Sequence, residues 1–106
     1  MTYTFFLLLK ARPEWLALPR DRRGILAADA FAASRLNEIG QVRHFDVEAF
    51  STMASDLMMI TTDNPGAYYF AMERLRDTPL LTVPYFDIVA ILPAVENGFR
   101  QFEAAV

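Results

Sequence analysis

Length, composition and charge narrow the classes to which this protein can belong. The chain has 106 residues, enough for one hydrophobic core and too few for a second. Hydrophobic residues make up 54% and charged residues 22%, a balance typical of a folded protein. A formal net charge of −3 provides no basic surface for nucleic acid. The absence of cysteine excludes disulfides, thiolate catalysis and cysteine-ligated metal centres. We therefore expect one domain, residues 1–106, in the cytoplasm.

The amino-terminal segment MTYTFFLLLKA predicts a buried strand over residues 2–11. It lacks the basic start and the small-residue cleavage pattern of a signal peptide, and its apolar run Tyr3–Leu9 is too short to cross a bilayer. Both alternating faces of the strand are largely apolar, so both faces need cover. In a small domain, such an apolar excess often lies in a subunit interface.

Residues 13–40 predict a short turn followed by a long helix. Pro13 and Pro19 bracket a turn-like segment, and the helix is expected to run to about Glu38. Gly40 supplies its stop signal. Apolar residues recur at steps of three and four and predict one buried face: Ile25, Ala28, Ala32, Leu36 and Ile39.

The middle of the chain predicts a hairpin and a second helix. Strands over residues 41–48 and 56–62 are joined by a longer loop. Asp63 or Asn64 is expected to cap the second helix, with Pro65 just inside it and an end at about Asp77. Three residues are expected to face inward: Tyr68, Met72 and Leu75.

The last third predicts a crossing segment, a strand and a helix. PLLTVPY, residues 79–85, carries two prolines and is expected to be an extended edge or crossing segment. FDIVAIL, residues 86–92, predicts the fourth strand, and Pro93 is expected to begin the last helix. Four residues share one face of that helix: Val95, Phe99, Phe102 and Val106.

The order β-α-β-β-α-β predicts an α+β, ferredoxin-like antiparallel sheet followed by a C-terminal helix. Two helices cover one face of such a sheet. The other face also needs cover, because the first strand has no polar side. Two arrangements supply it: a homodimer through the sheet face, as in a dimeric α+β barrel, or a monomer whose last helix folds across the sheet.

The segment VRHFDVEAF, residues 42–50, offers the main candidate site. Strand alternation puts three polar residues in one row: His44, Asp46 and Glu48. Asp56 can join them across the hairpin. If Phe45 and Val47 face the helices, this row points into the space between two sheets, where a barrel holds a ligand.

Three interpretations of that row stay open. It can be a structural row that pairs with arginines, a general base in which Asp46 orients His44, or a metal site. A metal needs two or three converging ligands, and one histidine without cysteine argues against it. We therefore predict no metal and no cofactor.

A second polar group surrounds the end of the second helix. It consists of Glu73, Arg74, Arg76, Asp77 and Tyr85. Arginines at a helix C-terminus stabilise its negative dipole end, and this structural role is sufficient to explain their presence here. The alternative is a buried network in which one arginine meets a strand carboxylate. No P-loop, GxGxxG, HExxH or EF-hand pattern is present.

Several segments resemble the darcynin family, small bacterial proteins of unassigned function. In chain order they are WLAL (15–18), the run VRHFDVEAF (42–50), SD (55–56), YYF (68–70) with ERLRDTP (73–79), PYF (84–86) and GFR (98–100). The resemblance covers nearly the whole chain and implies a ferredoxin-like, dimeric α+β fold. It supplies no reaction and no catalytic residue, and His44 is not a position that belongs to the family pattern.

Two functions follow as hypotheses. The first is a binding or structural module that holds a small apolar or aromatic ligand between the sheets of a homodimer, without nucleic acid or membrane. The second, resting on fold analogy, is a cofactor-independent oxygenase- or isomerase-like enzyme. The predicted catalytic residues are His44, Asp46, Arg74 and Tyr85. The predicted ligand-binding residues are Glu48, Asp56, Arg76 and Asp77.

Overall fold

The computed structural model describes all 106 residues as four strands and six helices. They are β1 (Tyr3–Ala11), α1 (Pro13–Leu16), α2 (Arg20–Ser34), α3 (Leu36–Ile39), β2 (Gln41–Asp46), β3 (Asp56–Thr62), α4 (Pro65–Arg76), α5 (Pro79–Thr82), β4 (Phe86–Ala94) and α6 (Gly98–Ala105). The strands form one antiparallel sheet in the order β2-β3-β1-β4. This is the predicted ferredoxin-like arrangement, and the prediction is confirmed. No helix is both long and apolar enough to cross a membrane.

The helices pack on one face of the sheet. Every second residue of β1 points toward them, and Leu7 is fully buried there. Ile60 of β3 and Leu36 of α3 are equally buried, and α4 adds Ala71 and Leu75 to the same core. The core therefore lies between the two central strands and the helix layer.

The opposite side of the sheet, here called the open face, has no helix over it. The strand registers place Phe6, Leu8, Phe45, Leu57, Met59 and Leu92 on the open face as its large apolar residues, with the polar Thr4, Gln41, Arg43 and Thr61 on the same side. The side chain of Leu92 is 55% exposed. Every residue of α6 from Phe99 onward is exposed, so this helix does not fold back over the sheet. The last helix therefore does not supply the cover that the second predicted arrangement assigned to it.

Helix α2 buries a different face from the one predicted. Ala30 and Ser34 are buried, whereas Ile25 is 52% exposed. The helix is rich in alanine on all sides, so periodicity alone does not select the face. It also ends earlier than predicted, because Arg35 adopts a left-handed conformation with φ 62° before the short α3 begins. Gly40 follows α3 and does not end the long helix.

Two predictions about proline segments are also wrong. Residues 79–82 form the helical turn α5 instead of an extended crossing, with Pro79 in the first-turn position that tolerates a missing N–H. Pro93 lies inside β4 instead of starting the last helix. Because β4 is an edge strand paired only with β1, a proline is tolerated there. The β1–β4 register also shifts between Leu8 and Leu9.

The helix layer is tied to the sheet by close contacts near Gly40. A Cβ atom at this position would overlap the backbone carbonyl of Thr61. Next to it, the buried hydroxyl of Thr62 donates a 2.7 Å hydrogen bond to the carbonyl oxygen of Ile39. The connection from α3 to β2 therefore needs glycine for its close approach to β3.

We predict opposite effects of alanine at two glycines. Gly40→Ala should lower the free energy of unfolding by about 2 kcal/mol, because the backbone has to move away from Thr61. Gly24→Ala should raise it by about 0.5–1 kcal/mol, because Gly24 lies inside α2 where a Cβ meets nothing within 4 Å. Urea unfolding followed by circular dichroism measures both changes. Equal effects of the two variants would contradict the close-contact argument.

Candidate functional site

A cavity of about 330 Å³ lies between α2 and the sheet, here called the α2 cavity. Twelve of its 16 lining residues are hydrophobic. The sheet contributes Leu7, Leu9 and Met58, and Trp15 and Phe86 form another wall. This is the size and lining typical of a pocket for a small ligand.

The α2 cavity exists because α2 presents small residues to it. Gly24 and Ala27 line it from one turn of the helix, and Phe31 lines it one turn further on. Nothing lies within 4 Å of the position that a Gly24 Cβ would take. Small residues at these positions leave space that a larger side chain would fill.

Strand register brings His44 and Asp56 to the edge of the α2 cavity. Asp46 pairs directly with Asp56, and His44 pairs with Met58, whose side chain belongs to the core. Phe45 pairs with Leu57 on the open face. His44 and Asp46 therefore face the helix side of the sheet, and not the space between two sheets considered from the sequence. Glu48 lies beyond β2, which ends at Asp46 and is two residues shorter than predicted.

His44 and Asp56 form a close hydrogen-bonded pair. The Nε2 atom of His44 lies 2.6 Å from Oδ2 of Asp56, and Oγ of Ser55 donates a 2.6 Å hydrogen bond to the other carboxylate oxygen. Asp56 is the more buried partner, with 21% of its side chain exposed against 48% for His44. A carboxylate held at both oxygens orients the imidazole, as in a base–carboxylate pair.

Asp46 is a looser neighbour of this pair. Its Oδ1 lies 4.0 Å from Nε2 of His44, and 81% of its side chain is exposed. One donor atom from each of His44, Asp46 and Asp56 lies within 4.8 Å of the others. Since His44 already bonds Asp56 and two of the three residues are exposed, we assign no metal to this cluster.

The other predicted residues lie elsewhere. Arg74 donates from Nε to the carbonyl oxygen of Ser34 at 2.9 Å, which satisfies a free carbonyl at the end of α2. The ring of Tyr85 packs at 5.5 Å from that of Trp15. Neither Arg74 nor Tyr85 lines the α2 cavity. Asp77 follows α4, where its backbone N–H donates a hydrogen bond to the carbonyl oxygen of Arg74.

Two further predicted residues line other depressions of the surface. Glu48 and Asp46 line a shallow polar hollow together with Arg20 and Arg23. Arg76 borders a cavity of about 250 Å³ beside α4. No lysine or arginine lies within 4.0 Å of Asp46 or Asp56, so His44 and not an arginine partners these carboxylates.

Sequence reasoning missed Arg23 and Trp15 as cavity residues. The guanidinium of Arg23 donates to the carbonyl oxygens of Leu16 and Leu18 at 2.8 and 3.0 Å, which fixes α1 against α2. Trp15 is buried in this corner. The one signal available was the pair of small residues, Gly24 and Ala27, spaced to share a helix face.

Tyr68 places an unsatisfied hydroxyl in the core beside the second cavity. Its ring stacks on Phe5 at 3.7 Å between centroids, and its hydroxyl is buried without a hydrogen-bond partner. Burial raises the pKa of Tyr68 above its ordinary value of 10.0, and the nearby positive charge of Arg76 opposes the shift only in part.

We predict that Tyr68→Phe will not destabilise the protein at neutral pH. Loss of an unpaired buried hydroxyl removes a desolvation cost of about 1–3 kcal/mol. Because the folded-state pKa is raised, the stability linked to the protonated phenol is complete below the unfolded pKa and is lost as pH rises through the folded pKa. The variant should therefore lose less stability than wild type above about pH 10.

Thermal unfolding between neutral and alkaline pH measures this difference. Tyr69→Phe is the matched control, because the neighbouring Tyr69 is 63% exposed and should change neither quantity. A large loss of stability in Tyr68→Phe at neutral pH would show that its hydroxyl has a partner.

The fold and the open face together define the structural class of this protein. This is an α+β protein of the ferredoxin-like, α+β-barrel type. Its structure is similar to that of chlorite dismutase from Candidatus Nitrospira defluvii, with a TM-score of 0.72 at 16% identity over 89% of this chain. It is also similar to a putative chlorite dismutase, with a TM-score of 0.70 at 13% identity over 88% of this chain. The chain spans only 39% and 42% of those proteins, and the likeness shows the fold alone.

The chain belongs to the darcynin family. Residues 1–104 match the family model described as Darcynin, domain of unknown function. Darcynin 1 from Acinetobacter baumannii is 40% identical over 95 residues, which are 84% of this chain and 100% of that protein. Darcynin from Chromobacterium violaceum is 50% identical over 64 residues, which are 60% of this chain and 81% of that protein. The resemblance found in the sequence is thereby confirmed.

Proposed function

We propose that this protein is a cytoplasmic binding module that holds a small apolar or aromatic ligand in the α2 cavity. The observation that carries the proposal is a preformed, mainly hydrophobic cavity of about 330 Å³ with the His44–Asp56 pair at its edge. Burying a ligand's apolar surface there contributes about 25 cal/mol per Å². The ligand site lies between α2 and the sheet, and not between two sheets.

The polar edge of the α2 cavity sets the orientation of the ligand. In the neutral imidazole that carries its proton on Nε2 and donates it to Asp56, the Nδ1 atom is a hydrogen-bond acceptor. Arg23 lines the same cavity, but its Nε and one terminal nitrogen donate to backbone carbonyls. A ligand with an apolar body and one hydroxyl or amine group matches this arrangement.

A cofactor-independent oxygenase or isomerase is the second candidate, favoured by the His44–Asp56 pair alone. A base oriented by a carboxylate can take a proton from a bound ligand. However, His44 is half exposed, and Arg74 and Tyr85, proposed to stabilise a developing anion, do not line the cavity. Binding without chemistry therefore ranks first.

The same proposal includes a homodimer formed through the open face. Phe6 and Met59 meet at the middle of this face, with Leu92 beside them. Burying such an apolar surface is the main favourable term in protein association. A second copy presents the same apolar residues, so in the dimer the open face of each copy covers the open face of the other.

We predict that filling the α2 cavity will weaken ligand binding. Ala27→Leu places a larger side chain inside the cavity and should weaken binding of the neutral probe N-phenyl-1-naphthylamine by about tenfold or more. Fluorescence of Trp15, the only tryptophan and a cavity wall, measures the titration.

Ala28→Leu is the matched control for that titration. Ala28 lies on the exposed side of α2, so the same enlargement there should leave the affinity unchanged. Equal affinity of the two variants would show that the probe binds outside the α2 cavity.

We predict that a charge on the open face will separate the homodimer. Leu92→Asp should shift sedimentation equilibrium toward monomer, because a carboxylate in an apolar interface loses its hydration. Ile25→Asp is the control, since Ile25 is exposed to nearly the same extent, 52% against 55%, but lies on the helix side. A wild-type chain that sediments as a monomer at all concentrations would reject the homodimer.

A further inference from the structure

The C-terminal helix α6 exposes an apolar stripe that its own chain leaves uncovered. Phe99 is 72% exposed, Phe102 61% and Val106 88%, and helical spacing places the three on one side. No residue of α6 is buried. The molecule measures 54 × 30 × 18 Å with a radius of gyration of 15.2 Å, whereas a compact chain of this length has about 13 Å. The helix is therefore an arm that projects from the end of β4.

An arm of this kind needs a packing partner to remain helical. α6 has eight residues, and Asn97 before it makes no side-chain cap. Isolated helices shorter than about 12–15 residues are marginal in water, and most helical stability in proteins comes from packing an amphipathic face. Within its own chain, the only side-chain hydrogen bond from this helix joins Gln101 to the carbonyl of Glu96.

The charge of the helix argues against a lipid surface as that partner. Helices that lie on membranes carry lysine and arginine on their polar face. In α6, Arg100 is balanced by Glu103 and no other charged side chain is present. Glu96, just before the helix, adds a negative charge.

The area of the open face points to a second copy of this chain. Four strands of about seven residues cover roughly 450 Å² of sheet, whereas a stable interface buries about 800 Å² on each partner. Two phenylalanine side chains add about 300 Å² or more when they are buried. The sheet with the α6 stripe therefore comes close to that area, at about 750 Å², whereas the sheet alone does not.

We infer that α6 of each subunit docks its Phe99–Phe102–Val106 stripe on the second subunit of a symmetric homodimer, extending the contact made by the open faces. This rests on the proposed homodimer. In a two-fold dimer both arms make the same contact, so each arm covers apolar surface that is exposed in the single chain.

Sedimentation equilibrium of the full chain tests the inference. Phe102→Asp should raise the dimer dissociation constant by about tenfold or more, whereas Ala104→Asp, which adds the same charge on the opposite side of α6, should change it less than threefold. Phe102 is 61% exposed, so the substitution leaves the core intact, and circular dichroism verifies this. Equal dissociation constants for the two variants would overturn the inference.

Hydrogen exchange of wild-type amides 98–105 gives a second test that needs no substitution. Protection of α6 should be present in concentrated protein and lost on dilution below the dissociation constant. Protection that does not change with concentration overturns the inference. So does α6-dependent co-sedimentation with phosphatidylcholine or phosphatidylserine vesicles.

The two proposals fail in different ways. If Leu92→Asp separates the subunits but Phe102→Asp does not, the homodimer stands and the exchanged arm is rejected. A wild-type chain that is monomeric throughout rejects both.

Discussion

The strand β1 is the element on which the rest of the structure depends. It pairs with β3 on one side and β4 on the other, and it carries apolar side chains on both faces. Its helix-side residues, Phe5 and Leu7, are buried under the helices, whereas Phe6 and Leu8 belong to the open face. A central strand with no polar side commits the chain to two layers of cover, and the chain itself provides only one.

The helix layer leaves space in its own core. Natural cores are packed nearly as densely as crystals, so an apolar cavity of about 330 Å³ represents packing contacts that the folded chain does not make. Gly24 also lowers the helix propensity of α2. The missing packing contacts and the lowered helix propensity occur at the same place, where small residues of α2 face the sheet beside His44 and Asp56. Sites that give up stability in this way are typical of binding pockets.

The sequence was sufficient for the order of strands and for α4, because these carry strong local signals. Asn64 caps α4 through a 3.0 Å hydrogen bond from the Ala67 N–H, and β3 has the predicted bounds. The face of α2 was not predictable, because alanine is equally compatible with both sides of a helix. The direction of the His44 row depends on pairing register, since a shift of one residue reverses every side chain. The His44–Asp56 hydrogen bond depends on this register, and the α2 cavity depends on the packing of all four strands with four of the helices.

The edge strands decide what kind of assembly this sheet can form. An exposed edge offers unpaired N–H and C=O groups to any other strand, and edge pairing can continue without limit into fibres. β4 carries Pro93 and a register shift beside Leu9, while β2 is short and exposes Arg43, His44 and Asp46. Both features make edges poor templates for another strand. The homodimer proposed above uses the open face instead, and a two-fold pairing of that face would use up the surface it needs, so growth would stop at two subunits.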